Sequence, residues 1–464
     1  MYAFYDFETT GTSTAFDQPL QFAAILTDDN FNEIETVNFR CRLSNHILPA
    51  PWALYVTGIS LETLLDQSLP SVFEFSNLLQ KLVLRWSPAV WIGYNNISFD
   101  EMIFRQLFYQ NLQPNIYATQ LNGNSRLDML TVMYAAFTIE NSSFSWPKHN
   151  SGLNSFKLDQ LAPFNGFNDH NAHDALGDVR ATLFLAKLVK DRCPKVWTNS
   201  LISSDKRNVD SLLSSNIPLS LISRDGSSPP KELSVLYSGR SNSDSNKVAL
   251  IDLEIFLKGN IDLNGATLLS VKSLFEKSPK VIKLLKINSS PYIWNNESNR
   301  DDFFSIVKMI RKNSNFEKLV SDFLSNDKKN SNENRSVELK IYDQFLSNED
   351  KNILETFLTQ DWSNRKCQIK KLSDKRLRTL GVRLLLLEAP NELPENTKIK
   401  SFEAIKRRWF DSESEQSGWM TFSKVDKQLE ELVRLGHFTV EEKEKFDKFY
   451  SGRLDCLKTF LEII

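Results

Sequence analysis

The chain opens on Tyr2-Ala3-Phe4-Tyr5-Asp6-Phe7-Glu8, an apolar run interrupted by two acids at alternate positions and stopped by Thr9-Thr10-Gly11. Its length is that of a strand, because the Thr-Thr-Gly stop comes too early for a helix. Residues 21–27 form a second apolar run of strand length. Residues 32–42 alternate weakly as a third strand, with Asp28-Asp29-Asn30 between them as the turn of a hairpin. The period then changes. Residues 71–86 carry Phe73, Leu78, Leu79 and Leu82 at helical spacing, and residues 90–94 return to a short buried strand. A helix follows through Ile103, Phe104, Leu107 and Phe108, with Ser98 as its predicted cap and Glu101 in the box position three residues on. Residues 127–136 and 155–161 read as further helices. A longer one starts at Ala175 and buries Leu176, Val179, Leu183, Leu185, Leu188 and Val189. Three antiparallel strands followed by alternating helix and strand predict an α/β unit with a mixed sheet, assigned to residues 1–192.

Beyond Pro194 the texture alters. Ser and Asn become frequent, and short strand-like runs at 247–253 and 280–287 lie among helical stretches at 271–275 and 303–310. Residues 193–341 therefore read as a small β-containing unit, ending near a polar tract at 325–336 expected to be a linker. From residue 342 to 464 helical patterns dominate, with basic clusters such as Arg365-Lys366, Lys375-Arg376 and Lys406-Arg407-Arg408 expected on solvated faces.

Charge is distributed unevenly. Residues 1–192 hold 12 Lys and Arg against 19 Asp and Glu, a net of −7. Residues 193–341 hold 22 against 17, a net of +5, and the remainder balances at 22 against 22. An acidic unit beside a basic one suits a metal site whose anionic substrate is gripped partly from outside, although charge this modest does not by itself argue nucleic acid. Cys41, Cys193, Cys367 and Cys456 have neither zinc spacing nor a disulfide framework. No apolar stretch is long enough to span a bilayer and no signal peptide is recognisable, so a cytoplasmic protein without a membrane partner is expected.

The candidate chemistry lies in the first unit. Asp6 and Glu8 point to one face of their strand. Two anions on an apolar strand repel each other and lose hydration unless a cation lies between them, and a hard divalent ion such as Mg²⁺ takes carboxylate oxygens. Asp100 falls in the first turn of a helix, where the helix dipole alone would favour an acid. His173 sits at a helix start, and Asp178 one turn in, close to the face that this helix buries. Two divalent ions held by such carboxylates can clamp a scissile phosphate, and an imidazole beside them can take a proton from the attacking water.

Three motifs carry a resemblance. Asp6-x-Glu8-Thr9-Thr10-Gly11, Asn95-x-x-x-Phe99-Asp100 and His173-x-x-x-x-Asp178 are similar to the three exonuclease motifs of the DEDDh superfamily of 3′→5′ exonucleases. Gln21-Phe22-Ala23-Ala24-Ile25, Asn124-Ser125-Arg126-Leu127-Asp128 and Ala186-Lys187-Leu188-Val189-Lys190 narrow it to the bacterial exonuclease I family, and weaker similarity extends through residues 283–291 and 342–350. The resemblance implies a ribonuclease H-like nuclease domain, an SH3-like middle domain and a helical C-terminal domain, at residues 1–192, 193–341 and 342–464. It implies a monomeric enzyme that degrades single-stranded DNA to 5′-mononucleotides in repair or recombination, with two Mg²⁺ ions for which Mn²⁺ can substitute. The acidic tail of single-strand DNA-binding protein is the implied protein partner. Carried over by motif, Asp6 bridges both ions, Glu8 and Asp178 complete the first site, Asp100 serves the second and His173 is the general base. Thr9 and Thr10 would meet the terminal nucleotide with backbone groups. Phe7, Tyr94 and Phe99 could stack bases or belong to the core, and Arg126 could meet a phosphate or pair with an acid. Two other classes remain to be separated by assay: an exoribonuclease, whose short RNA-trimming members lack such a long extension, and a non-catalytic nucleic-acid-binding protein, which would have no reason to keep five costly polar groups together.

Overall fold

Alternation along the first strand sets the architecture of the computed structural model, which describes residues 1–168, 174–259, 261, 263, 265–295, 301–326, 335–411 and 418–462. Strands β1 (Tyr2–Thr9), β2 (Pro19–Thr27) and β3 (Glu33–Arg40) form an antiparallel meander. Short helices α1 (Pro51–Thr57) and α2 (Leu61–Leu65) precede α3 (Val72–Trp86), whose Ser71 and Glu74 form a reciprocal capping box. Then come β4 (Val90–Gly93), α4 (Asp100–Gln110), β5 (Ser125–Asp128), α5 (Met129–Ile139), α6 (Leu158–Phe164) and α7 (Ala175–Arg192). The sheet order is β3-β2-β1-β4-β5, with β4 parallel to β1 and β5 parallel to β4. This is the mixed sheet of a ribonuclease H-like α/β domain.

Both faces of the sheet are covered, and β1 divides its side chains between them. Tyr2 and Phe4 pack with Val179, Leu183 and Ala186 of α7, whereas Ala3, Tyr5 and Phe7 pack with Leu79, Val83 and Phe104 of α3 and α4. Asp6 and Glu8 continue the first set, so the strand's pleat aims both acids toward the α7 side.

Two expectations about elements need correction. The predicted helix at 127–136 is in part strand: residues 125–128 form β5, and Asp128 ends it by accepting the Leu130 N–H at 2.9 Å, which caps α5. A four-residue strand merging into an apolar helix leaves no period of its own to detect. Ser98 is not the cap of α4. Phe99 occupies that position without a side-chain cap, and the Ser98 hydroxyl donates to the Asn95 carbonyl at 3.1 Å. Of the two alternatives left open for Phe7, the structure shows the core: its ring packs with those of Phe22 and Phe104, at separations of 4.8 Å each.

Helices α8 (Pro194–Ser204) and α9 (Lys206–Ser214) lead to a second, antiparallel sheet. Its strands are β6 (Leu219–Ser223), β7 (Lys231–Arg240), β8 (Lys247–Asp252), β9 (Ile282–Lys286) and β10 (Ile293–Trp294), in the order β10-β6-β7-β8-β9. Helices α10 (Leu253–Lys258) and α11 (Leu268–Glu276) connect β8 to β9, and α12 (Asp301–Lys312) and α13 (Ser314–Ser325) follow β10. The tract expected as a linker falls mainly on residues 327–334, outside the described residues. Val196 and Trp197 of α8, with Ile222 of β6 and Tyr292 just before β10, join the α7-side core of the first sheet.

The C-terminal region is helical: α14 (Asn348–Thr359), α15 (Trp362–Lys371), α16 (Lys375–Glu388), α17 (Glu395–Phe410), α18 (Phe422–Arg434) and α19 (Val440–Glu462). Its core is shared with the N-terminal α/β region. Leu20, Leu43, Leu54, Phe73 and Leu112 cluster with Leu354, Leu380, Trp409 and Leu429. Several basic residues expected on solvated faces are structural. The Arg365 guanidinium lies over the rings of Phe73, Phe357 and Trp362, Arg376 pairs with Asp374 at 2.7 Å, and Arg408 and Arg383 both grip Glu338, at 2.8 and 2.6 Å. Burial opposes ionisation of Glu338, but the two guanidinium groups outweigh it and hold its pKa down at about 2. No helix among the described residues is long and apolar enough to cross a membrane.

Candidate active site

At the end of β1, carboxylate oxygens of Asp6, Glu8 and Asp178 lie within 4.8 Å of one another. Strand alternation supplies the first two. The third comes from the first turn of α7, which packs along β1 on the face to which Asp6 and Glu8 point. Among the described residues this is the one His, Cys, Asp and Glu group with metal-ligand spacing. Asp100 stands beside it, at the start of α4, and its Oδ1 accepts the Phe7 N–H at 3.2 Å. The backbone between Asp6 and Glu8 thus holds the fourth acid. His173 lies outside the described residues, one position before Asp174.

The electrostatics are those of acids crowded together in a buried site. Burial, with the charges of Asp100, Glu8 and Asp178, pushes the Asp6 carboxyl well above the usual carboxylate range. Burial followed by Asp178 and Asp100 raises Glu8 to about 9. Burial also raises Asp100 to about 8, against the hydrogen bond from Phe7. Acids gathered in this way favour protonation or a bound cation. An all-oxygen donor set of this kind fits a hard divalent ion such as Mg²⁺ or Mn²⁺.

A second layer of residues fixes these acids. Gln21, which pairs with Glu8 across the sheet, donates to Asp174 Oδ1 at 3.0 Å, and the Asp174 carbonyl accepts the Asp178 N–H at 3.1 Å. Gln21 thereby tethers the start of α7. Asp128 Oδ1 accepts the N–H of Asn95 at 2.8 Å as well as that of Leu130. Asn95 has a positive φ of 59°, so this bond steadies a left-handed turn in the loop leading to Asp100. Pattern reading singled out neither Gln21 nor Asp128 for this role. One signal was available: each is a polar residue inside an otherwise apolar stretch.

The residues expected to meet substrate are placed as follows. Arg126 is 5 % exposed, pairs with Glu101 at 3.0 Å and donates to the Asn288 carbonyl. The Tyr94 hydroxyl donates to the Phe156 carbonyl, and Phe99 packs against the core that contains Phe104. Thr9 donates to the Gly11 carbonyl at 2.7 Å. The Thr10 hydroxyl donates to Asp17 at 2.8 Å, and its N–H to the Gln18 carbonyl at 3.0 Å, so that N–H is spent within its own loop.

Comparison with known proteins adds to this geometry. The family profile described as Exonuclease matches residues 3–186. Exodeoxyribonuclease I of Buchnera aphidicola subsp. Schizaphis graminum is 32 % identical over 404 residues, covering 82 % of this chain and 82 % of that protein. The crystal structure of Escherichia coli exonuclease I in complex with a dT13 oligonucleotide aligns over 100 % of this chain and 98 % of its own, with a TM-score of 0.78 and 26 % identity. A crystal structure of SSB/exonuclease I in complex with an inhibitor aligns over 100 % and 99 % of the two chains, with a TM-score of 0.75 and 27 % identity.

Proposed function

The chain belongs to the exonuclease I family and is a DNA exonuclease, and from that premise we propose that it removes 5′-mononucleotides from the 3′ end of single-stranded DNA by two-metal-ion hydrolysis. The observation that carries this reading is the convergence of Asp6, Glu8 and Asp178 within 4.8 Å, with Asp100 adjoining. Asp6, Glu8 and Asp178 would hold one Mg²⁺ or Mn²⁺, and Asp100, with Asp6, a second. Ions at such a site supply charge stabilisation for the scissile phosphate and its leaving oxygen. The protein's part is positional. β1 and α7 hold the acids at fixed spacing, the Phe7 N–H fixes Asp100, and His173 takes the proton of the attacking water. The matched complexes with an oligonucleotide and with SSB support single-stranded DNA as substrate and single-strand DNA-binding protein as partner. The same reading assigns residues 1–192, 193–341 and 342–464 to nuclease, middle and C-terminal domains of a cytoplasmic, monomeric enzyme of DNA repair or recombination.

The test uses end-labelled single-stranded DNA, duplex DNA and RNA, each with Mg²⁺ or chelator. Mononucleotide release from single-stranded DNA alone, only with the ion, is the expected result. Equal cleavage of RNA, or cleavage that survives chelation, would overturn the reading.

A further inference from the structure

Glu101 follows Asp100 in the chain, yet it is fully buried and lies outside the group of metal-spaced acids. Its Oε1 accepts the Tyr5 hydroxyl at 2.9 Å. Its Oε2 accepts Arg126 Nη1 and Thr119 Oγ1, both at 3.0 Å, with Arg105 at 3.8 Å. The Tyr5 hydroxyl in turn accepts Asn96 Nδ2 at 3.1 Å.

The partners are informative by their positions. Tyr5 precedes Asp6 on β1, Asn96 lies in the loop leading to Asp100, and Arg126 lies on β5 with its other arm on the Asn288 carbonyl in the segment between β9 and β10. One carboxylate therefore ties together the backbone segments that carry Asp6 and Asp100. Those two acids repel each other, so without a cation their spacing must be imposed from behind. Both Glu101 oxygens are satisfied by buried donors, and a carboxylate held in this way is rigid enough to impose it.

We infer that Glu101 is a positioning residue, which sets the spacing of Asp6 and Asp100 through Tyr5 and the start of α4 and contacts neither the metal nor DNA itself. The inference rests on the metal reading of the site given above. Partners of this kind around ligand residues commonly carry 10–100-fold in metal affinity.

The experiment is calorimetric titration of the full chain with Mn²⁺ in the absence of DNA, for the unaltered protein, Glu101→Gln and Tyr5→Phe. Turnover, KM for single-stranded DNA and melting temperature in chelator are measured alongside. Glu101→Gln should weaken Mn²⁺ binding by about 10–100-fold and Tyr5→Phe by about 10-fold. kcat should fall in both while KM for DNA stays constant. Tyr5→Phe keeps the ring contacts to Phe22, Trp91 and Phe104, so it carries the test if Glu101→Gln does not fold. Unchanged Mn²⁺ affinity in a folded variant whose melting temperature alone has dropped would overturn the inference, leaving Glu101 as a core ion pair. Failure of the unaltered chain to bind Mn²⁺ would instead overturn the metal reading on which it stands.

Discussion

Asp6 and Glu8 oppose each other's ionisation, with Asp178 beside them, and removing one acid should separate function from stability. Asp6→Asn is expected to abolish turnover by several orders of magnitude and yet to raise the melting temperature in chelator, because a repelling charge is gone. A variant with lower melting temperature would show that Asp6 is mainly a structural residue. The pH dependence follows with a definite sign. Glu8 rises from an ordinary 4.5 to about 9 in the fold, and Asp100 from 3.8 to about 8. The folded chain thus binds these protons more tightly than the unfolded one. Their contribution is complete below the unfolded values and is lost as pH rises through about 8 and 9. Melting in chelator should fall over that window, and stabilisation by Mg²⁺ should be larger at pH 9 than at pH 6, since the ion binds the deprotonated acids. Scanning both conditions by calorimetry checks it; an ion effect that shrinks with pH would contradict it. The acids themselves were legible because strand spacing and helix position are written in the chain. Glu101, Gln21 and Asp128 were not, because their roles depend on partners such as Tyr5, Asp174 and Asn95 that only the fold brings near.

Elements were legible in proportion to their length and period. Helices α3 and α7 and strands β1 and β2 match their predicted runs closely, since each has enough residues to show its repeat. α1 and α2 went unseen: seven and five residues are too few, and both are held by packing against other elements through Leu54 and Leu64. α3 also has a strong local signal at its start, with the Glu74 N–H donating to the Ser71 hydroxyl at 3.2 Å and the Ser71 N–H to Glu74 at 2.8 Å. Ser71→Ala should therefore cost about 1 kcal/mol. Equilibrium denaturation with an unchanged m-value measures it, and a loss below about 0.3 kcal/mol would mean that tertiary packing alone holds this end.

For the whole molecule, the shared core changes what truncation can reveal. A fragment of residues 1–192 would expose Leu20, Leu43, Leu54, Phe73 and Leu112 to water, so it is expected to be insoluble or poorly folded. The regional charges, read from composition as an acidic unit beside a basic one, include arginines used internally, such as Arg365, Arg383 and Arg408, and lysines that face a cavity. Lys81, Lys206, Lys286 and Lys351 line a cavity of about 1170 Å³ between the first sheet's helices, the second sheet and the C-terminal helices. If this cavity meets the strand, replacing all four by Gln should flatten the salt dependence of single-stranded DNA binding by up to about 3 in log–log slope, at about 0.7 per contacted phosphate. An unchanged slope would remove these lysines from the DNA path.

The most direct single measurement is anomalous diffraction from a crystal of the protein soaked in Mn²⁺. The expected result is a peak bounded by Asp6, Glu8 and Asp178, lost in Asp6→Asn. A catalytically active crystal form with no anomalous peak at these residues would contradict a metal-dependent nuclease site at the end of β1.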